Sequence, residues 1–177
     1  MRRILILGPS GSGKTTLAER IGSILEIPVV HLDRHYWNPG WRETPEIEWV
    51  EKVRRLISQD SWVMDGNYTT TLAMRATVAD TIIFIKTSRR VSYLRAFRRI
   101  FRYYGRNRPD LPEGCPEHID LEFLKYIWNY PRTRQPVILR FLKGLQSVKE
   151  IHVLNSQTDI DGFLASLNVT QTSTSPT

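Results

Sequence analysis

Near the start of the chain stands Gly8-Pro9-Ser10-Gly11-Ser12-Gly13-Lys14-Thr15, which fits GxxxxGK[ST] and limits the possible folds more than any other stretch. An apolar run, residues 4–7, precedes it, and Leu17, Ile21, Ile24 and Leu25 recur behind it at helical spacing. A loop of this kind between a buried strand and a helix makes a phosphate cradle. Its glycines let successive backbone N–H groups turn inward, and the helix N-terminus adds its dipole. Gly8, Ser10, Gly11, Ser12 and Gly13 are the expected lining. Lys14 is expected to reach the β- and γ-phosphates, Thr15 to offer its hydroxyl to Mg²⁺, and Thr16 to meet the α-phosphate. Nucleoside triphosphate binding is therefore the expectation on which the others build.

The rest of the chain alternates strand and helix signals without an internal repeat. Strands are expected over residues 3–7, 29–32, 62–64, 81–85 and 151–154. Helices are expected from Leu17, over 47–57, 89–104, 121–128, 136–145 and 160–167. In the helix over 89–104, Val91, Leu94, Phe97 and Phe101 share one face. Residues 33–45 read as a loop rich in aromatic and turn residues. Gly105, Pro109, Pro112, Gly114 and Pro116 forbid a helix over 105–116, which reads as a mobile flap. Such alternation predicts a three-layer α/β fold: a parallel sheet of about five strands, helices on both faces, and ligands at the carboxyl ends of the strands. One domain over 1–168 is expected, with a polar, low-complexity tail over 169–177 read as disordered.

Two carboxylates follow strands at that edge. Asp33 and Asp65 can hold Mg²⁺ or accept a proton from an attacking hydroxyl, or they can simply cap turns. His31 and His35 flank Asp33, but no third ligand stands at an established metal spacing, so satisfied structural histidines are the better reading. Tyr36, Trp37 and Trp41 form either a wall for a ring-bearing substrate or a small cluster that stiffens the loop. The single Cys115 has no histidine beside it and reads as incidental. Neither an export signal nor a stretch long enough to span a bilayer is visible, and a cytoplasmic protein without membrane partners is expected.

The formal charge is +7, and it is unevenly spread: residues 89–108 hold eight arginines and no acidic residue. Arginine's planar fork suits phosphate, so this block can close over a nucleotide, follow a nucleic-acid backbone, or be a solvated face.

Taken with Asp33 and Asp65-Gly66, the stretches HLDRHYWNPGWRETP, WVMDGNY, NRPDLPEGCPE and DLEFLKYIWNYPR resemble the adenylate kinase-like P-loop proteins called DNA topology modulation proteins of the FlaR type. The resemblance runs from Arg3 to about Leu167. It implies a nucleoside monophosphate kinase-like fold, with ATP and Mg²⁺ as cofactors and an arginine-rich lid at about 105–118 that carries Arg106 and Arg108. It further implies that Asp65 orients Mg²⁺, that Arg95 and Arg99 lie near the adenine and phosphates, and that Arg132 and Arg134 act as a second arginine pair. The chain departs from true adenylate kinases after Asp65-Gly66, where Asn67-Tyr68-Thr69-Thr70 replaces Phe-Pro-Arg-Thr. The Gly-Gly-Gly of shikimate kinases and an NKxD motif are also missing. Three readings follow: a kinase moving the ATP γ-phosphoryl to a small acceptor, a nucleotide-dependent DNA-binding regulator, or a bare ATPase. In the first, Lys14, Asp33, Asp65, Arg99, Arg132 and Arg134 carry the catalysis.

Overall fold

The strands at the centre of the molecule are apolar on both faces, and this dictates the layering. In the computed structural model, which describes residues 1–172, β1 (Arg3–Leu7) sits in mid-sheet with Ile4 to Leu7 fully buried. The elements after it are α1 (Lys14–Leu25), β2 (Val29–His31), α2 (Leu32–Tyr36), β3 (Trp37–Asn38), β4 (Arg42–Glu43), α3 (Glu46–Ile57) and β5 (Trp62–Asp65). Then come α4 (Thr69–Val78), β6 (Thr81–Ile85), α5 (Arg89–Tyr103), α6 (Leu121–Thr133), α7 (Gln135–Lys143), β7 (Glu150–Leu154) and α8 (Gln157–Thr172).

Five strands form one parallel sheet in the order β2-β5-β1-β6-β7, and β3 and β4 make a separate antiparallel hairpin. Because side chains alternate along a strand, Ile4 and Ile6 pack with Leu17, Ile21, Phe163 and Leu164 of α1 and α8. Leu5 and Leu7 point the other way, to Trp49, Leu72 and Ile138 of α3, α4 and α7. Burial on both faces is what a parallel sheet requires. This is the expected three-layer α/β architecture. It brings the carboxyl ends of β1, β2 and β5 together, with Ile6 and His31 both beside Asp65 in register.

Four local features differ from the expectation. The segment after β2 is not all loop, since α2 opens at Leu32 and places Asp33 in its first turn. Residues 69–78 form α4 although the run of threonines at its start gives little helical signal. Helix α6 continues to Thr133, through Pro131, well past the expected end at Trp128. The apolar row on α5 faces outward: Phe101 is 82% exposed, Leu94 50% and Phe97 48%, while the helix buries Ser92, Ala96 and Ile100. The small residues are inward because α5 lies directly against the phosphate loop, where a Cβ on Gly11 would run into the Ser92 carbonyl. The final residues of the expected tail, 173–177, lie outside the described residues. Among the described residues, no helix is long and apolar enough to cross a membrane.

Candidate active site

The phosphate loop is the turn between β1 and α1. Gly11 takes φ 77°, a left-handed conformation open to glycine, and α1 begins at Lys14. The buried Ser12 hydroxyl has no partner among the described residues, and the Lys14 ammonium donates to the Pro9 carbonyl at 2.9 Å. Burial pulls the Lys14 ammonium below its ordinary pKa; Asp65 and Asp33 oppose this, and Arg99 and Arg108 add to it. Thr16 is exposed on the first turn of α1. The loop is clipped in place from the turn between β5 and α4: the Asn67 amide accepts from Gly8 N at 3.2 Å and donates to Gly8 O at 2.9 Å.

Thr15 and Asp65 meet at the adjacent strand end. The Thr15 hydroxyl donates to Asp65 Oδ2 at 2.9 Å. These two hard oxygen donors beside a phosphate cradle fit Mg²⁺, which is held by one or two protein oxygens and completes its shell with water and phosphate. The other Asp65 oxygen lies 2.8 Å from His31 Nδ1, and His31 Nε2 lies 2.7 Å from Glu19 Oε1. Burial lowers the His31 pKa, but the hydrogen bonds and charges of Asp65 and then Glu19 outweigh it and raise it to about 9. His31 is thus an imidazolium at neutral pH. The strand ends therefore bring Lys14, Thr15 and Asp65 close to one another, with His31 and Glu19 beside them.

Asp33, one turn away on α2, accepts from the Tyr68 hydroxyl at 2.6 Å. Burial and the Asp33 charge push the Tyr68 phenol far above its ordinary pKa, so it acts as a fixed donor. Arg75 sets the path of the chain here. It is fully buried, and its guanidinium donates to the carbonyls of Gly66, Asn67 and Tyr68 at 2.7–2.9 Å and to the Thr71 hydroxyl at 3.3 Å. Burial lowers its pKa to about 9.

The arginines separate into distinct roles. Arg99 reaches the Ser10 hydroxyl of the phosphate loop at 3.3 Å, and its Nε lies 3.7 Å from Glu117 Oε2. Arg108, buried in the flap, pairs with Glu117 at 2.9 Å and with both oxygens of Asp110 at 3.0 and 3.1 Å. Arg95 is exposed and lines a cavity of about 230 Å³ with Ser12, Lys86, Ser88, Asn155 and Gln157. Arg134 caps α7 close enough to Tyr126 and Tyr130 to act on their pKa values. Arg132 is exposed in the last turn of α6.

The flap is tied down. Its two ends are joined by hydrogen bonds from Gly105 N to Glu117 O and from Glu117 N to Arg106 O, both 2.9 Å. Its body is clasped to the β3–β4 hairpin. Gly40 N donates to Gly114 O at 2.7 Å, Trp41 Nε1 to Pro116 O at 2.8 Å, and the buried Cys115 thiol to Asn38 O at 3.2 Å. The Arg34 side chain also donates to Pro109 O. The aromatic residues of this region pack on one another, with Tyr36 against Trp37, Trp49 and Tyr68, and Trp41 between Trp37 and His118. They form the stiffening cluster, one of the two readings of this stretch. Trp41→Phe keeps the ring but removes the donor to Pro116, a loss of about 1 kcal/mol. Amide exchange at Gly40 and Gly105 should then speed up roughly fivefold. Unchanged exchange at both would show that the indole does not hold the clasp.

No family model and no curated protein matches the chain. Among solved structures, it is similar to shikimate kinase from Bacteroides thetaiotaomicron, with 17% identity and a TM-score of 0.57 over 97% of this chain and 98% of the other. It is similar also to shikimate kinase from Acinetobacter baumannii in complex with shikimate, with 14% identity and a TM-score of 0.61 over 99% and 96%. A gluconokinase from Sinorhizobium meliloti 1021 matches at 18% identity and a TM-score of 0.53 over 99% and 98%. These likenesses show that the chain shares the fold of these proteins over 97–99% of its length.

Proposed function

We propose that the chain is an ATP-dependent kinase that moves the γ-phosphoryl group to a hydroxyl on a small acceptor. One observation carries this reading: Lys14, the Thr15–Asp65 pair and the Asp33–Tyr68 pair converge on one sheet edge, under the arginines Arg99 and Arg108. The similar folds of two small-molecule kinase types support it.

Phosphoryl transfer needs positioning and charge neutralisation more than covalent help. The cradle amides and Lys14 would hold the phosphates, and the cavity beside Arg95 would take the nucleoside base. Thr15 and Asp65 hold Mg²⁺, which neutralises phosphate charge when bound. Arg99, already at Ser10, stabilises charge on the transferring group. Asp33 accepts the acceptor's proton while Tyr68 fixes its orientation. Arg132 and Arg134, exposed where α6 meets α7, would supply the second arginine pair. Such an enzyme draws on cytoplasmic ATP, in keeping with a cytoplasmic location.

The test follows the label of γ-labelled ATP with Mg²⁺ across nucleosides, nucleoside monophosphates and hydroxy acids. Label should move to one acceptor class, and Asp33→Asn should slow that transfer about 10²-fold or more. Release as phosphate alone across the panel would overturn the kinase reading in favour of a bare ATPase.

A second reading rests on the outward face of α5, where Arg90, Arg98 and Arg102 stand exposed. It is the DNA-binding regulator implied by the FlaR-type resemblance. DNA affinity falling steeply with salt, with no acceptor labelled, would favour it.

A further inference from the structure

A carboxylate that holds a metal through two free rotations is a poor ligand until something fixes its plane. Asp65 is fixed from both sides. Its Oδ2 takes the Thr15 hydroxyl at 2.9 Å, and its Oδ1 takes His31 Nδ1 at 2.8 Å. His31 is itself held at the far side of the ring, where Nε2 meets Glu19 Oε1 at 2.7 Å. The chain crosses three elements: Glu19 on α1, His31 at the end of β2 and Asp65 at the end of β5. His31 and Asp65 are direct partners in the parallel register, so the backbone sets their spacing. The inner contact is shielded, with the His31 side chain 8% exposed and that of Asp65 7%, while the outer partner Glu19 is 63% exposed. Two carboxylates face the two ring nitrogens, so each nitrogen donates a proton.

We infer that His31 and Glu19 are positioning residues for the Mg²⁺ site, with His31 orienting Asp65 so that Oδ2 stays turned toward Thr15. This rests on the kinase reading only as far as the metal-bearing Thr15–Asp65 pair. The ring donates to Asp65 and takes no part as a ligand, because both nitrogens are committed to carboxylates. Outer partners that orient a metal ligand in this way commonly change metal affinity 10- to 100-fold when removed.

The experiment reads metal binding instead of turnover. Mn²⁺ serves as the probe, by electron paramagnetic resonance on the full-length protein with ADP, alongside ADP affinity without metal and thermal melting. His31→Ala should weaken Mn²⁺ binding at least tenfold and leave metal-free ADP affinity within twofold. His31→Asn places an amide N–H where Nδ1 was and should recover most of the loss. His31→Gln reaches toward Glu19 and should not. Glu19→Gln should give a smaller loss than His31→Ala. Equal Mn²⁺ affinity in native protein and His31→Ala overturns the inference, as does a parallel loss of metal-free ADP binding, which marks a merely structural histidine. If His31→Ala does not fold, the contrast of Asn with Gln decides alone, and equal affinities for those two also overturn it. A native protein that binds Mn²⁺ with ADP yet labels no acceptor refutes the kinase reading and leaves this inference standing.

Discussion

Lys14→Ala abolishes acceptor-dependent phosphoryl transfer while the fold persists. The ammonium stands at the mouth of the phosphate loop, within the fields of Asp65, Asp33, Arg99 and Arg108. When a triphosphate is bound, it exchanges the Pro9 carbonyl, its partner at 2.9 Å, for phosphate oxygens. A positioned charge aimed at the transferring group is worth about 3–4 kcal/mol, so turnover should fall on the order of 10³-fold. The free protein should lose almost nothing. Burial already disfavours this ammonium, and its removal leaves one loop carbonyl to be met by water. Turnover in the variant within tenfold of the native rate, with a native melting profile, would refute the assignment of the loop.

Arg75→Met has the opposite signature, a large loss of stability at a residue whose own hydrogen bonds go only to Gly66, Asn67, Tyr68 and Thr71. The guanidinium has no exposed surface and satisfies three successive carbonyls, those of Gly66, Asn67 and Tyr68. Methionine matches its stem but leaves those acceptors buried and unpaired, at a cost of about 3–5 kcal/mol. For a domain of this size that corresponds to a drop of about 10 °C in melting temperature. The same loop carries Asn67, which clips Gly8, and Tyr68, which holds Asp33. Residual folded protein should therefore also bind ATP more weakly. A melting temperature within 2 or 3 °C of native would mean that the loop keeps its path without Arg75.

What the sequence discloses of this site depends on how local each feature is. The phosphate loop is legible because its residues are consecutive and its chemistry is main-chain. Asp65 is legible because it ends an apolar strand. The partnership of His31 with Asp65 is not, since it depends on β2 lying beside β5, a neighbour relation that spacing along the chain does not encode. Helix α5 shows the limit of periodicity. Val91, Leu94, Phe97 and Phe101 mark a real stripe, but the tight approach of Gly11 to Ser92 demands small residues on the buried side. The stripe is turned outward as a result. Arg75 escaped notice for a related reason: an arginine in a sequence reads as surface, and only the three carbonyls that converge on it make its burial tolerable. The proline- and glycine-rich flap was legible as a break in helix, while its anchorage to the hairpin arises from contacts about 75 residues apart.

That anchorage has a kinetic meaning. Gly114, Cys115 and Pro116 belong to the flap, and Asn38, Gly40 and Trp41 to the β3–β4 hairpin and its turn. Two segments fastened to each other by three hydrogen bonds move together, so in the proposed kinase an opening of the flap would carry the hairpin with it. Both substrates of such an enzyme would then enter and leave through one coupled opening, and the frequency of that opening would set an upper bound on turnover.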